Sequence, residues 1–353
     1  MMPYLTGQYA NASAGYAAAR EARSAIDRAR AQVAAAIGAQ PGEIVFTSGG
    51  TEADNWAILG AMDRADAQRN RVVVSCVEHH AVLGACEELE RRGFDVAYVD
   101  VNAQGRVCPE EIERLVTPRT ALVSVMLANN EVGTIEPVAQ IARIAHASGA
   151  LMHTDAVQAV GHIPVDVGAL GVDLLSMSAH KFYGPKGAGA LYIRAGTRIG
   201  RMLRGGAQER GLRAGTENTS AIVGMGEALR LAVLEMEETS RRVSALRDAL
   251  IDGALERLAG ARLNGSREER LPCNVHLTLP GIDSRALLLR LDMAGIAASA
   301  GSACASGATE RSHVLSAMRA GEGADLRLTL GRDNEPADVE RVLDALAKIA
   351  GNR

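Results

Sequence analysis

Short apolar runs alternate with amphipathic stretches along most of the chain. Ile44-Val45-Phe46-Thr47, Val72-Val73-Val74, Asp95-Val96-Ala97-Tyr98-Val99 and Thr120-Ala121-Leu122-Val123-Ser124-Val125 have the length and β-branched content of buried strands. Segments 150–154, 173–178 and 189–193 continue the series. Between them, 17–37 reads as an Ala/Arg-rich helix ended near Gly38 and Pro41. Further helices are predicted over 51–60, 81–92 and 137–147. Strands that alternate with helices predict an α/β fold, a mostly parallel sheet flanked by helices on both faces. From 220 to 260 the period becomes that of one long amphipathic helix rich in Glu and Arg. Beyond it come strands near 274–279 and 325–330, helices near 284–294 and 335–350, and a Gly/Ala/Ser stretch at 298–308. This predicts a large domain over 1–236 and a smaller α+β domain over 237–353.

Composition narrows the class. Hydrophobic content of 47% against 23% charged residues is that of an ordinary globular protein, and 353 residues allow two domains. Aromatics are only 3%, which leaves packing to Leu, Val, Ile and Ala. A net charge of -4 offers no basic footprint for direct nucleic-acid binding. No apolar run is long enough for a membrane span. The Ala-rich beginning is broken by Arg20, Glu21, Arg23 and Asp27, so no signal peptide is read there. Five cysteines without a CxxC pair argue against a disulfide framework and for a reducing, cytoplasmic setting.

The candidate chemistry gathers where strands are predicted to end. Ligands of such sheets collect at the carboxyl ends of the strands, and Gly50, Asn130, Asp155 and Lys181 fall at or just beyond such ends. A lysine and an aspartate at neighbouring strand ends suit pyridoxal 5'-phosphate. The lysine forms a Schiff base with the cofactor aldehyde, and the aspartate keeps the pyridine nitrogen protonated. Gly49-Gly50-Thr51-Glu52 opens a helix after a strand, which favours a phosphate or is merely a turn. The glycine-rich 184–189 leads into a strand and reads as a structural turn. Glu78-His79-His80 lacks a third ligand for a metal; beside a cofactor, a ring stacked on the pyridine is the alternative to a plain histidine. Cys304, among small residues, reads as a reactive loop thiol, whereas Cys76, Cys86, Cys108 and Cys273 read as buried and inert. Arg327 suits an amino-acid carboxylate or a surface ion pair.

Seven segments stand in one order: Phe46-Thr47-Ser48-Gly49-Gly50-Thr51-Glu52, Glu78-His79-His80-Ala81-Val82-Leu83, Ala128-Asn129-Asn130-Glu131-Val132-Gly133, Asp155-Ala156-Val157-Gln158, Ser178-Ala179-His180-Lys181, Arg213-Ala214-Gly215-Thr216-Glu217-Asn218 and Gly301-Ser302-Ala303-Cys304. Together they resemble the NifS/IscS type of cysteine desulfurase, in the class-V aminotransferase family of fold-type I pyridoxal phosphate enzymes, over nearly the whole chain. The resemblance implies that Lys181 carries the cofactor and moves protons. Asp155 would pair with the pyridine nitrogen, Gln158 with the ring hydroxyl, and His79 would stack on the ring and assist acid–base steps as a catalytic residue. Gly50, Thr51, Ser178 and His180 would hold the phosphate, and Thr216 would reach the phosphate of the other subunit of a homodimer. Asn130 and Arg327 would grip the carboxylate of L-cysteine. Cys304 would take the sulfur as a persulfide, leaving L-alanine, and pass it to an iron–sulfur scaffold or a tRNA-thiolating protein. The alternatives are a related lyase acting on selenocysteine or cysteine sulfinate, and an impaired paralogue that serves as a binding protein. The family's opening Asn-Ala-Ala-Thr-Thr-type segment is expected to be absent, since the chain starts at Met1-Met2-Pro3-Tyr4-Leu5. Residues 10–19 also depart from the family's Gly-Asn-Pro-Ser-Ser-x-His pattern.

Overall fold

The computed structural model describes residues 1–301 and 311–351. Contacts divide the chain into two compact units. The first comprises Met1–Val99, Pro109–Leu127 and Pro137–Met236; the second comprises Asp100–Cys108, Ala128–Glu136 and Glu237–Arg353. Two short segments from the first 136 residues thus pack with the C-terminal unit, whereas a single cut at residue 236 leaves them with the N-terminal part.

The first unit is built on a seven-stranded sheet. Its strands are β1 (Ile44–Thr47), β2 (Arg71–Ser75), β3 (Asp95–Val99), β4 (Thr120–Ser124), β5 (Leu151–Asp155), β6 (Leu174–Ser178) and β7 (Gly189–Ile193), in the order β1-β7-β6-β5-β4-β2-β3. β2 pairs in parallel with β3 and β4, and β4–β5 and β5–β6 are parallel as well. β7 runs antiparallel to both β6 and β1. Two reversals restore the direction, so β1 runs the same way as β6, and β7 alone opposes the rest.

The strands are apolar because they are covered on both faces. β1, β4, β6 and β7 are buried throughout, while the edge strand β3 is largely half-exposed. On one face, helix Gly50–Met62 sets Ala53, Trp56, Ala57 and Ala61 against Val72, Val74, Leu122, Leu174 and Leu191. Trp56, the single tryptophan, is 1% exposed, and its indole N–H donates to the Gly200 carbonyl at 2.7 Å. That bond removes the cost of burying its polar tip.

The second unit holds an antiparallel sheet of β8 (Arg262–Leu263), β9 (Asn274–Leu279) and β10 (Ala324–Thr329), in the order β10-β9-β8. Helices Ser284–Met293, His313–Ala317 and Pro336–Gly351 accompany it. The 39-residue helix Thr219–Arg257 spans the sequence boundary at 236. No described helix is long and apolar enough to cross a membrane.

Candidate active site

Because β1, β2, β4, β5 and β6 share one direction, their carboxyl ends lie along one edge of the sheet. Asp155 is the last residue of β5, and Lys181 lies in the 3-10 helix Ala179–Phe182 that follows β6. The register sets Asp155 opposite Ser176, so the two residues leave the same edge from neighbouring strands. The carboxylate is 5% exposed, and its Oδ1 accepts the Val157 N–H at 2.8 Å. Burial lifts the Asp155 carboxyl above its usual range, while the Val157 amide and the Lys181 charge pull it back down. A cationic partner for this carboxylate therefore stabilises its charged form.

Beside this pair lies the start of helix Gly50–Met62, which leaves the same edge from β1. A Cβ built on Gly50 would stand 2.7 Å from Val157 Cγ2, closer than real side chains come, so any larger residue there forces Val157 to move. One on Gly49 would lie 3.7 Å from Ser178 Oγ. The helix start, with Gly50 and Thr51, thus faces the end of β6, where Ser178 Oγ hydrogen-bonds His180 Nδ1 at 2.9 Å. Burial, then the charges of Lys181 and Lys186, hold His180 below the usual imidazole range. Helix-start N–H groups with a hydroxyl and an imidazole alongside suit a phosphate.

His79 follows β2 on the same edge and caps helix His80–Arg91. Its Nδ1 accepts the Ala81 N–H at 3.1 Å, which places the hydrogen of the neutral ring on Nε2. Gln158 is half-buried three residues beyond Asp155, and Thr216 is exposed. In the turn at 184–189, a Cβ on Gly184 would meet the Ala179 carbonyl oxygen at 2.8 Å, so the close packing there needs glycine. An anionic group at the helix start, an aldehyde within reach of Lys181 and a protonated ring nitrogen against Asp155 match the donor set present, so these residues fit pyridoxal phosphate.

The second unit brings Asn130 and Arg327 together. Ala128 and Ile135 bridge to close a tight hairpin, with the Asn129 N–H bonded to the Thr134 carbonyl. Arg327, on β10, donates from Nη1 to the Asn130 carbonyl at 2.8 Å. Glu131, 1% exposed, accepts the Ser312 hydroxyl at 2.6 Å, and its own carbonyl receives Asn274 Nδ2 at 2.8 Å. Cys304 lies outside the described residues. Of the other thiols, Cys86 and Cys273 are buried, and burial, with Glu78 next, pushes Cys86 up to about 12. Cys76 and Cys108 are half-buried, which corrects the expectation of burial. Each lies just past a strand or bridge, where cover is thinner than within the apolar runs.

The motifs left several polar side chains of the site unread. Asp54 is 1% exposed on helix Gly50–Met62, and His153 is fully buried on β5. Glu78, read from the sequence only beside His79 and His80, is buried as well; its Oε1 accepts the Ser75 hydroxyl and the Met126 N–H, both at 2.7 Å. One signal for His153 was available: it lies two residues before Asp155, hence on the same face of the strand.

Comparison with known proteins shows the family. The aminotransferase class-V family model matches residues 1–342. The chain therefore belongs to the class-V aminotransferase family, whose cofactor is pyridoxal phosphate. It is 48% identical to the cysteine desulfurase IscS of Methanosarcina thermophila over 99% of this chain and 87% of that protein. It is 46% identical to the IscS of Dictyoglomus turgidum over 99% of this chain and 89% of that one. Among solved structures, a NifS-like protein superimposes with a TM-score of 0.93 at 36% identity, covering 100% of this chain and 94% of the other. The NifS/IscS-type resemblance read from seven motifs thus extends over the full length, and the fold-type I architecture goes with it.

Proposed function

We propose that this chain acts as a cysteine desulfurase, taking sulfur from L-cysteine and leaving L-alanine. The observation that carries the reading is the placement of Lys181 and Asp155 at adjacent parallel strand ends, next to the Gly50 helix start. Bound pyridoxal phosphate supplies an electron sink that makes the substrate's Cα–H acidic and stabilises charge at Cβ. Lys181 holds the cofactor and moves the proton at Cα. Asp155, anionic, holds the ring nitrogen in its protonated form, and Gln158 bonds the ring hydroxyl. His79 stacks on the ring. Gly50, Thr51, Ser178 and His180 bind the phosphate, and Thr216, exposed on one chain, serves the phosphate of a second copy in a homodimer. Asn130 and Arg327 hold the substrate carboxylate, Arg327 being steadied by the Asn130 carbonyl.

Cys304 is the sulfur acceptor. Its thiolate attacks the substrate sulfur, an S–S bond forms and the Cβ–S bond breaks. The electron pair of the broken bond stays with Cβ, which takes a proton and becomes the methyl group of alanine. The persulfide then passes to an acceptor protein, an iron–sulfur scaffold or a tRNA-thiolating enzyme. The Cys86 and Cys108 thiols suit a reducing, cytoplasmic setting.

The test is to add L-cysteine and a reductant to the purified protein and measure alanine and sulfide, with Lys181→Ala and Cys304→Ser in parallel. Both variants should lose turnover, and borohydride should fix the pyridoxyl group to Lys181. A label elsewhere would refute the assignment of Lys181. Alanine formation that survives in Cys304→Ser would point instead to a lyase acting on selenocysteine or cysteine sulfinate.

A further inference from the structure

Under Asp155 lies a buried polar cluster that the roles above leave unused. His153, on the same face of β5, is 0% exposed. Its ring is held at both nitrogens, Nδ1 to Ser124 Oγ at 2.8 Å and Nε2 to Ser176 Oγ at 3.1 Å. Ser124 belongs to β4 and Ser176 to β6, so three adjacent strands contribute. Asp54 approaches from helix Gly50–Met62, with its Oδ1 3.8 Å from His153 Nε2, beyond hydrogen-bond range. That oxygen is buried and has no hydrogen-bond partner among the described residues.

An ionised carboxylate with one oxygen buried and without a protein partner is among the costliest arrangements in a protein interior. A neutral carboxyl group in the same place costs far less. Among the described residues, the charges that act on Asp54 are those of Asp155 on β5 and Glu78 beyond β2, both negative, and the titratable ring nearest its Oδ1 is that of His153. His153 is kept neutral, since burial pushes it down to about 3. Burial first, and the Asp155 charge next, push Asp54 well above the usual carboxylate range; the Ser176 hydroxyl opposes this and Glu78 adds to it. Two carboxyls that repel each other in a buried site resist ionising together.

We infer that Asp54 is a positioning residue that carries a proton in the folded chain, so that the negative charge of this buried cluster rests on Asp155, at the sheet edge. The inference rests on the desulfurase reading only for what Asp155 faces there. Asp155 is the better placed of the two to be charged, because its Oδ1 already accepts an N–H and Lys181 lies on its side of the cluster. Asp54 acts through it, by staying neutral beside it.

Infrared difference spectroscopy of the holoenzyme reads the proton directly. A protonated carboxyl C=O stretch falls above the amide and carboxylate bands. Wild type minus Asp54→Asn at neutral pH should show such a band, and raising the pH should abolish it. In Asp155→Asn the same band should vanish at a pH lower by about one unit or more, because the neighbouring charge has been removed. Carboxyl-labelled aspartate in the unmutated protein assigns the band to an aspartate even if Asp54→Asn folds poorly, and keeps it apart from buried glutamates. Absence of the band in a protein that binds cofactor overturns the inference, as does a titration that Asp155→Asn leaves in place. Failure of the unmutated protein to bind cofactor, with the band present, would overturn the functional reading and leave the placement of the proton supported.

Discussion

Gly50→Ala tests whether the phosphate end of the site and the Asp155 end are mechanically joined. The new methyl carbon would lie 2.7 Å from Val157 Cγ2, where carbon atoms ordinarily stand about 3.5–4.0 Å apart. Val157 is β-branched and stiff at χ1, so it escapes only by leaving its rotamer or shifting its backbone. Overpacking of this kind costs about 1–3 kcal/mol. Replacing glycine by alanine in a helix returns at most about 1 kcal/mol, and less at the first helical position. The net loss of stability should be small, about 0–2 kcal/mol. The larger effect should fall on the cofactor. The Val157 N–H that would be displaced is the one Asp155 Oδ1 accepts at 2.8 Å. A hydrogen bond to a charged group contributes about 1.5–3 kcal/mol, so loosening it should weaken pyridoxal phosphate binding by about tenfold or more. Equilibrium dialysis measures the binding and urea unfolding measures the stability. Gly84→Ala is the control: this exposed glycine sits within helix His80–Arg91 with nothing near its Cβ position, so alanine should stabilise by up to about 1 kcal/mol. The double variant Gly50→Ala/Val157→Ala should recover cofactor affinity, since the clash is gone. Unchanged cofactor binding in Gly50→Ala, or a gain in stability equal to that of Gly84→Ala, would refute the coupling.

Two further predictions concern buried charge. Glu209 is 5% exposed; it takes both Arg30 guanidinium nitrogens at 2.7 Å and the Phe46 N–H at 3.0 Å. Glu209→Ala should therefore cost about 3–5 kcal/mol in urea unfolding, because it strands a buried guanidinium; a loss typical of a surface pair would contradict the geometry. Glu136, 4% exposed, accepts the Val107 N–H at 2.8 Å, and its Oε1 has no partner among the described residues. Burial raises its pKa from the ordinary 4.5 to about 8, against the pull of Val107 and Arg106. The folded chain thus binds more protons than the unfolded chain between those values, so this group's contribution to stability falls as pH rises through that window. Glu136→Gln should flatten the fall and leave the variant more stable than the parent above pH 8; parallel stability–pH curves would exclude the assignment.

How far the chain could be read from its residues depends on where apolar pattern and chemistry part. β1, β4, β6 and β7 were legible because burial on both faces makes each an unbroken apolar run. Asp155 and Lys181 were legible because each comes where such a run stops, and a polar residue there faces the sheet edge. The direction of β7 was not legible, since no local residue distinguishes a parallel strand from a reversed one. Nor was the two-residue strand Arg262–Leu263, which is too short to show a period. The pairing of Arg30 with Glu209 spans 179 positions and depends on a left-handed backbone at Glu209, with φ 47°. The cluster of Asp54, His153, Ser124 and Ser176 was hidden for a different reason. Each residue interrupts an apolar pattern singly, on a separate element, and a single polar interruption reads as noise. Only the register of β4, β5 and β6 shows the interruptions to be neighbours, with Ser124 opposite His153 and Asp155 opposite Ser176. Hydrogen bonds across strands satisfy most of these groups, and the oxygen left over on Asp54 is the one for which a proton is the least costly answer. The same sheet that makes strands readable by keeping them dry is what forces a single charge, and hence a division of labour between two carboxyls, at the edge where the cofactor would be held.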